Sequence, residues 1–235
     1  MDSYKKQMNR DDFICQFPID KKCDRDCEVP VLIQYIEDKE PIKSLLDVGC
    51  AHSHLSYAEK IRPFIDDYEG IDIVESPETN KILDGYYIGN VIDYCLGGRY
   101  FDMVTCVSVI EHSGFSTYNA FFRRERYLLF ERLLELSKKY IWFSFHAGLE
   151  YVACNNDGKP DFCAVTKQDL EYFEGLAKSQ GWNFKERFFY TQGAQADHPW
   201  YEHGDRKLAL KVPYMDYIGN QSIGVMELEK IGVKK

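Results

Sequence analysis

From about residue 41 onward, short apolar runs alternate with amphipathic segments. The apolar runs have the length and the β-branched or aromatic content of strands, at 45–48, 70–74, 86–88, 101–109, 140–145 and 184–190. Strands that alternate with helices need crossover connections, and crossovers join parallel strands. The pattern therefore predicts an α/β fold whose sheet is mostly parallel and flanked by helices.

Two amphipathic segments carry clear helical signals. Segment 121–139 repeats apolar residues at helical spacing, which places on one face Phe122, Leu129, Leu133 and Leu136. Thr166, followed three positions later by Asp169, is a capping pair, and Gly181 closes the helix that it opens. We expect both helices to flank the sheet.

The sequence shows no repeat and no low-complexity linker. We therefore expect one domain at 41–235, preceded by a helical extension at 1–40 that belongs to the same unit. The pattern weakens after residue 190. Two further strands near the sheet edge are predicted at 208–212 and 223–228, and we expect 191–221 to form a lid or insertion over the active face.

Composition and charge narrow the class of protein. The 235 residues carry a net charge of −9, which repels a polyphosphate backbone, so nucleic acid is a disfavoured partner. No apolar run reaches the ~18 residues that cross a bilayer, and the charged start has no signal-peptide core, so we expect a cytoplasmic protein without a membrane partner. The eight scattered cysteines are expected to be reduced thiols.

Segment 44–53 predicts a ligand site, because an apolar strand runs there through a tight turn into a helix. In open α/β sheets, ligands bind beyond the carboxyl ends of the strands, near the start of the next helix. Gly49 and the small Ala51 let a ligand approach the backbone, and Asp47 can accept hydrogen bonds from loop amides or from an ammonium group. Asp72 follows Gly49 at close to the ~20-residue offset at which an acidic side chain binds ribose hydroxyls.

Taken together, these motifs resemble those of the class I S-adenosylmethionine-dependent methyltransferases. The residues that carry the resemblance are Asp47-Val-Gly-Cys, Gly70-Ile-Asp72, Gly89-Asn90 and the run 101–112, which ends in Ser-Val-Ile-Glu-His112. The resemblance covers roughly 45–145. It implies a Rossmann-like, seven-stranded, mostly parallel sheet and the cofactor S-adenosyl-L-methionine.

The resemblance also assigns cofactor-binding residues by position. It places the methionine part of the cofactor at Asp47, Gly49, Cys50 and Ala51, the ribose at Asp72 and Ile73, and adenine at Asn90 and Val91, with Ser108 also in the cofactor site. The chain departs from the family pattern, because Ala51 and Ser53 stand where glycines are usual and Asn90 stands where an acidic residue is common. Of a dinucleotide-type G-x-G-x-x-G turn only Gly49 is present, so NAD is disfavoured.

Methyl transfer is an in-line displacement, so the protein mainly aligns the acceptor and, for a hydroxyl, removes a proton. His112 is the candidate base, Glu111 can orient it or contact the cofactor, and His146 is a second candidate. A divalent ion on these three residues is left open, but their spacing does not indicate one and no metal is predicted. Cys23 and Cys27 form only a weak zinc signal.

The preferred hypothesis is O-methylation of a small polar or carbohydrate-like acceptor. Its sugar component follows from a looser similarity to methyltransferases of bacterial polysaccharide and sugar pathways, in which a Ser-Val-Ile-Glu-His-like stretch also precedes the long helix. One alternative is an RNA or protein methyltransferase that contacts its substrate through Arg123, Arg124 and Arg126, although a solvated helix face is the preferred interpretation of that cluster. Another is a non-catalytic module that only binds the cofactor.

Overall fold

The structure is a computed structural model that describes residues 25–39, 41–53, 57–115, 121–149, 152–154, 158–191, 201–203, 206–210 and 221–232. The strands in these ranges are β1 (Ser44–Val48), β2 (Asp67–Asp72), β3 (Gly85–Ile88), β4 (Phe101–Val107), β5 (Ser137–His146), β6 (Val152–Cys154), β7 (Pro160–Cys163), β8 (Trp182–Thr191), β9 (Tyr201–His203) and β10 (Gln221–Lys230). The helices are α1 (Arg25–Glu37), α2 (Ala58–Ile61), α3 (Pro77–Asn80), α4 (Arg123–Leu136), α5 (Lys167–Ser179) and α6 (Arg206–Ala209).

The main sheet has the strand order β3-β2-β1-β4-β5-β10-β8-β9. The five strands from β3 to β5 in this order run parallel to their neighbours, whereas β10 is antiparallel to both β5 and β8. β9 adds a short antiparallel strand beyond β8, and β6 pairs with β7 in a separate hairpin. The seven strands from β3 to β8 confirm the predicted fold, a mostly parallel sheet flanked by helices.

Helices cover both faces of the sheet, because alternate strand residues point to opposite sides. On one side, Leu45 of β1 belongs to a buried apolar cluster with Leu32 of α1 and residues of α2. On the other side, Leu46 belongs to a cluster with Leu133 of α4 and residues of α5. The sheet is therefore buried on both faces. Polar side chains that bind a ligand can be accommodated only at the ends of its strands.

The two long helices on one side are joined through a shared carboxylate. α5 begins with the predicted capping box, in which the Thr166 and Asp169 side chains each accept a hydrogen bond from the other's backbone N–H. Arg126 of α4 is fully buried and donates a hydrogen bond of 3.0 Å to the same Asp169 carboxylate. The capping residue therefore also fixes α4 against α5.

Three predictions are wrong in detail. The strand predicted at 70–74 is β2 at Asp67–Asp72, so Ile73 and Val74 follow the strand and are exposed. α4 begins at Arg123, so Phe122 precedes the helix and is exposed, whereas the other residues of the predicted apolar face are buried. Segment 206–209 is helix α6 where the sequence predicts a strand at 208–212. An apolar run this short does not distinguish a helix from a strand. Residues 211–212 lie outside the described part of the chain.

The last strand is also placed differently from the prediction. β10 contains the predicted run 223–228, but it lies inside the sheet between β5 and β8 and not near an edge. Both faces of the strand are buried, as Ile223, Val225, Met226 and Leu228 show.

Little of the predicted lid at 191–221 can be compared with the structure. The described residues there are Thr191, β9, 206–210 and Gln221, and the rest lies outside them. In the described part of the chain, no helix has the length and apolarity needed to span a bilayer.

Candidate functional site

Asp47 lies near the carboxyl end of β1, between β2 and β4. Its carboxylate is fully buried and accepts hydrogen bonds from the hydroxyls of Tyr57 and Thr105 at 3.0 Å and of Tyr68 at 3.4 Å. Burial raises the pKa of Asp47 to about 7, although the three hydroxyl donors act in the opposite direction. The donors that the structure shows are therefore hydroxyls of neighbouring side chains, where the sequence suggested loop amides or a bound ammonium group.

The chain turns at Gly49, which has a φ of +79° and donates its N–H to the carbonyl oxygen of Ile71 at 2.8 Å. A Cβ at this position would lie 2.2 Å from Cγ2 of Val109, so both the dihedral and the space require glycine. The next residue, Cys50, is fully buried, and burial raises the pKa of its thiol. Cys50 is therefore a packing residue and not a nucleophile.

Asp72, at the carboxyl end of β2, is bonded directly to this turn. Its Oδ2 accepts a hydrogen bond of 2.8 Å from the backbone N–H of Ala51, and its Oδ1 accepts one of 3.1 Å from the N–H of Val74. The carbonyl oxygen of Ala51 accepts a further bond of 2.8 Å from the hydroxyl of Thr79. The structure thus brings together the glycine turn and the acidic residue that the sequence singled out.

Apolar side chains are exposed beside Asp72. Ile73 is 72% exposed and Ile88 is 53% exposed, and Ile88 is the residue of β3 that pairs with Asp72. Val74 is also exposed. These side chains form an apolar border at the carboxyl ends of β2 and β3.

The predicted adenine residues follow β3. Gly89 donates its N–H to the carbonyl oxygen of Asp72 at 2.7 Å, which ties the turn after β3 to the end of β2. Asn90 is exposed, and its side-chain oxygen accepts a hydrogen bond of 3.1 Å from the N–H of Ile92. Val91 is buried. The exposed Asn90 and Ile73 can therefore contact a ligand directly, whereas Val91 packs in the core beneath the turn.

Ser108 follows β4 and has an unusual environment. Its backbone φ is +48°, and its N–H donates to both the carbonyl oxygen and the Oγ of Ser144, at 3.1 and 3.2 Å. Its hydroxyl donates to Oε1 of Glu28 in α1 at 2.5 Å, and Glu28 is fully buried. Glu28 carries no signal in the sequence, because no local motif links a residue of the first helix to the end of β4.

Glu111 is fully buried three residues further along. Its Oε1 accepts a weak hydrogen bond of 3.4 Å from the backbone N–H of His146, and its Oε2 has no hydrogen-bond partner in the part of the chain that the structure describes. Burial raises the pKa of Glu111, the nearby His146 and His112 act to lower it, and the charge of Glu28 acts to raise it.

His112 is the exposed member of the predicted catalytic group. Its Nδ1 lies 2.7 Å from the carbonyl oxygen of Asp161 and 3.9 Å from the Asp161 carboxylate. A carbonyl oxygen only accepts hydrogen bonds, so Nδ1 carries a proton and Nε2 of the neutral ring has a lone pair. The rings of His112 and His146 both pack edge-on against Phe162, with centroids 5.7 and 5.2 Å apart. The three catalytic candidates are thus brought together, and β7 adds Asp161 and Phe162, which no sequence motif marked.

The three arginines that the RNA or protein alternative would use as a contact patch do not share one exposed surface. Arg126 is fully buried and donates to Asp169 and to backbone carbonyl oxygens, and Arg123 bonds the side chains of Thr166 and Gln168. Arg124 is exposed. Arg126 lies one helical turn before the buried Leu129, so its side chain points toward the interior, where the buried Asp169 carboxylate balances its charge.

The structure gives no support to the weak metal signal in the sequence. Among the described residues, no group of three or more potential metal-ligating side chains is close enough to hold an ion. Cys27 is buried, and Cys23 lies outside the described residues. Four other described cysteines are free thiols, namely Cys50, Cys95, Cys106 and Cys154.

No protein-family model matches the chain, and no curated protein sequence matches it. Solved structures of similar fold include the small RNA methyltransferase HEN1, with a TM-score of 0.57 and 16% identity over 98% of this chain and 27% of that chain. A candidate methyltransferase of Bacillus halodurans C-125 has a TM-score of 0.56 and 11% identity over 87% of this chain and 99% of that chain. The N-methyltransferase NodS of Bradyrhizobium japonicum WM9, in complex with S-adenosyl-L-homocysteine, has a TM-score of 0.53 and 11% identity over 98% and 97%. The chain has the class I methyltransferase fold.

Proposed function

We propose that this protein is an S-adenosyl-L-methionine-dependent methyltransferase that O-methylates a small polar or carbohydrate-like acceptor. The observation that carries the proposal is the glycine turn after β1, bonded through the N–H of Ala51 to the Asp72 carboxylate after β2. These strand ends form the ligand crevice of an open α/β sheet. The shared fold with NodS, whose structure contains S-adenosyl-L-homocysteine, supports the choice of cofactor.

The described residues fit an adenosyl cofactor in three respects. Gly49 allows the chain to turn sharply after β1, with a φ of +79°, which brings the backbone of Ala51 to the Asp72 carboxylate. Each oxygen of Asp72 can accept a second hydrogen bond, so the carboxylate can bind ribose hydroxyls while it holds the turn. The exposed Ile73 and Ile88 offer an apolar surface of the kind that a flat adenine ring covers.

When bound, the cofactor supplies a methyl group that its sulfonium makes electrophilic. The chain then has to hold the acceptor in line and remove the hydroxyl proton. We assign proton removal to Nε2 of His112, because Nδ1 is held by the Asp161 carbonyl oxygen. The Asp161 carboxylate, 3.9 Å from Nδ1, stabilises the imidazolium that results. Glu111 and His146 are buried and joined by the hydrogen bond from the His146 N–H to Glu111, and we assign them the role of supporting His112 from within the fold.

The acceptor class follows from charge and from the looser sequence similarity. The net charge of −9 disfavours a polyanion, and the buried Arg126 removes the basic patch on which an RNA or protein acceptor was considered. Among the described residues, the site offers a base but no basic patch, which suits a small acceptor that carries a hydroxyl group. The carbohydrate-like character of the acceptor is supported by the Ser-Val-Ile-Glu-His stretch before α4.

The proposal is tested with S-adenosyl-L-methionine labelled in its methyl group and a panel of sugars, nucleotide sugars and matched amines. We expect label on a hydroxyl oxygen, and we expect His112→Ala to lower the rate by about 100-fold or more while S-adenosyl-L-homocysteine still binds. Label found only on amines would contradict O-methylation. Binding of the cofactor without transfer to any member of a wide panel would favour the non-catalytic module.

A further inference from the structure

Asp72, which the proposed function assigns to the ribose, has its carboxylate held by two different loops. Its Oδ2 accepts a hydrogen bond of 2.8 Å from the N–H of Ala51 in the turn after β1, and its Oδ1 accepts one of 3.1 Å from the N–H of Val74 in the loop after β2. One donor on each oxygen fixes the plane of the carboxylate. The orientation in which Asp72 meets a ligand therefore depends on how firmly Ala51 and Val74 are held.

The two donors differ in their support. Ala51 is buried, and its carbonyl oxygen accepts a hydrogen bond of 2.8 Å from the hydroxyl of Thr79. Val74 lies just past the end of β2, and its side chain is exposed, as are those of Ile73 and Glu75. Packing does not fix a short segment whose side chains are exposed, so the position of the Val74 N–H requires another contact.

That contact comes from Tyr86 of β3. Its hydroxyl donates a hydrogen bond of 2.6 Å to the carbonyl oxygen of Val74. Tyr86 pairs with Gly70 of β2, and its ring packs against the buried apolar cluster on the α1 side of the sheet. Both backbone polar groups of Val74 are therefore bonded, the N–H to Asp72 and the carbonyl oxygen to Tyr86. Two hydrogen bonds in succession connect the sheet to the Asp72 carboxylate through this loop.

Packing accounts for the ring of Tyr86 but not for its hydroxyl, because a phenylalanine would fill the same place against the apolar cluster. The next residue, Tyr87, uses its hydroxyl differently. It donates to Glu69 of β2 at 2.9 Å and accepts from Arg99 at 3.1 Å, which supports the ion pair between these two residues. The two neighbouring tyrosines of β3 thus have separate roles, and the hydroxyl of Tyr86 is the one that bonds the loop beside Asp72.

We infer that Tyr86 is a positioning residue of the cofactor site, whose hydroxyl holds the Val74 backbone and, through it, the Asp72 carboxylate in the orientation that binds the ribose hydroxyls. The inference rests on the proposed function. A carboxylate held in this way is oriented before the cofactor binds, so binding does not bear the entropy cost of ordering the loop.

The test measures the Kd of S-adenosyl-L-homocysteine by calorimetry in a double-mutant cycle. Tyr86→Phe should weaken binding about fivefold, the effect of one lost hydrogen bond to a neutral acceptor. In Asp72→Ala, which lacks the carboxylate, the added Tyr86→Phe substitution should change the Kd by less than about twofold. The same weakening with and without Asp72 would overturn the inference, because the hydroxyl would then act independently of that carboxylate.

Tyr87→Phe is the matched control. It removes the same atom from the neighbouring residue and breaks a bond to a charged group, so it should lower the free energy of unfolding at least as much as Tyr86→Phe while leaving the Kd unchanged. Equal weakening of binding by both substitutions, or no weakening by Tyr86→Phe, would overturn the inference and leave the proposed function intact. If the unaltered protein binds no S-adenosyl-L-homocysteine, both are overturned.

A second measurement covers the case in which Tyr86→Phe does not fold, as judged by circular dichroism. In the unaltered protein, before ligand is added, the Val74 N–H should exchange its hydrogen at least about tenfold more slowly than an unstructured amide, because it is bonded to Asp72 in a loop that Tyr86 fixes. Exchange at the rate of an unstructured amide would show that the loop is not held before binding, which would overturn the inference.

Discussion

Asp47 shows how one residue can link the site to stability. Its carboxylate is buried under three hydroxyl donors and has a pKa of about 7, compared with an ordinary value of 3.8. The folded state therefore holds a proton on Asp47 that the unfolded chain releases between about pH 4 and 7. The contribution of Asp47 to the free energy of unfolding is fully present below about pH 4 and is lost as the pH rises to about 7.

We predict a corresponding difference between the unaltered protein and Asp47→Asn. From about pH 4 to 7 the free energy of unfolding of the unaltered protein should fall relative to that of the variant, by up to about 4 kcal/mol, because one pKa unit corresponds to about 1.4 kcal/mol. Urea unfolding of both proteins at several pH values measures this difference in the free energy of unfolding. Parallel stability curves over this range would show that Asp47 ionises as in the unfolded chain.

Single residues also mark the limit of prediction from sequence. Gly49 and Asp72 could be identified because a strand-to-helix turn and an acidic residue at the right offset have local signatures. Glu28 and Asp161 could not, because each reaches the site from an element distant in sequence and carries no motif. Arg126 was misplaced because a charged residue gives no sign of being buried until its partner, Asp169, is known.

At the level of elements, α4 and α5 depend on one carboxylate. Asp169 accepts a hydrogen bond of 2.9 Å from the N–H of Thr166 and one of 3.0 Å from the buried Arg126. Removing it loses a helix cap and leaves a guanidinium buried without its counter-charge.

We therefore predict unequal effects for two cap variants. Asp169→Ala should destabilise the fold by about 3–5 kcal/mol, whereas Thr166→Ala should cost about 1 kcal/mol, the usual value for a lost cap. Chemical denaturation of both variants gives the comparison. Similar losses would mean that the Arg126 contact adds nothing to the cap.

The elements also differ in how well the sequence specified them. β1 and β4 were located from buried apolar runs, and the capping box of α5 was identified from two residues. β2 was predicted at 70–74 but spans 67–72, because polar residues in its first half hide the strand. The place of β10 could not be read from its own residues, because an apolar run shows burial but not which strands lie on either side. A short apolar run also does not distinguish a helix from a strand, which is why the four-residue helix α6 was predicted as a strand.

For the whole molecule, the order of strands decides where the chemistry lies. Because β3, β2, β1, β4 and β5 are parallel, their carboxyl ends meet at one edge of the sheet, and the residues that follow them meet there as well. The alternation of apolar and amphipathic segments was sufficient to predict a mostly parallel sheet, but not the order of its strands. It also did not predict what α1 and the β6–β7 hairpin contribute, since neither belongs to the repeating pattern.

The central claim is that this edge binds an adenosyl cofactor through Asp72, and calorimetry with S-adenosyl-L-homocysteine tests it most directly. We predict binding to the unaltered protein, a loss of about 100-fold or more in Asp72→Ala, and unchanged binding in Asp66→Ala, an exposed aspartate just before the amino end of the same strand. No heat of binding with the unaltered protein at millimolar ligand, or equal affinity in all three proteins, would contradict the claim.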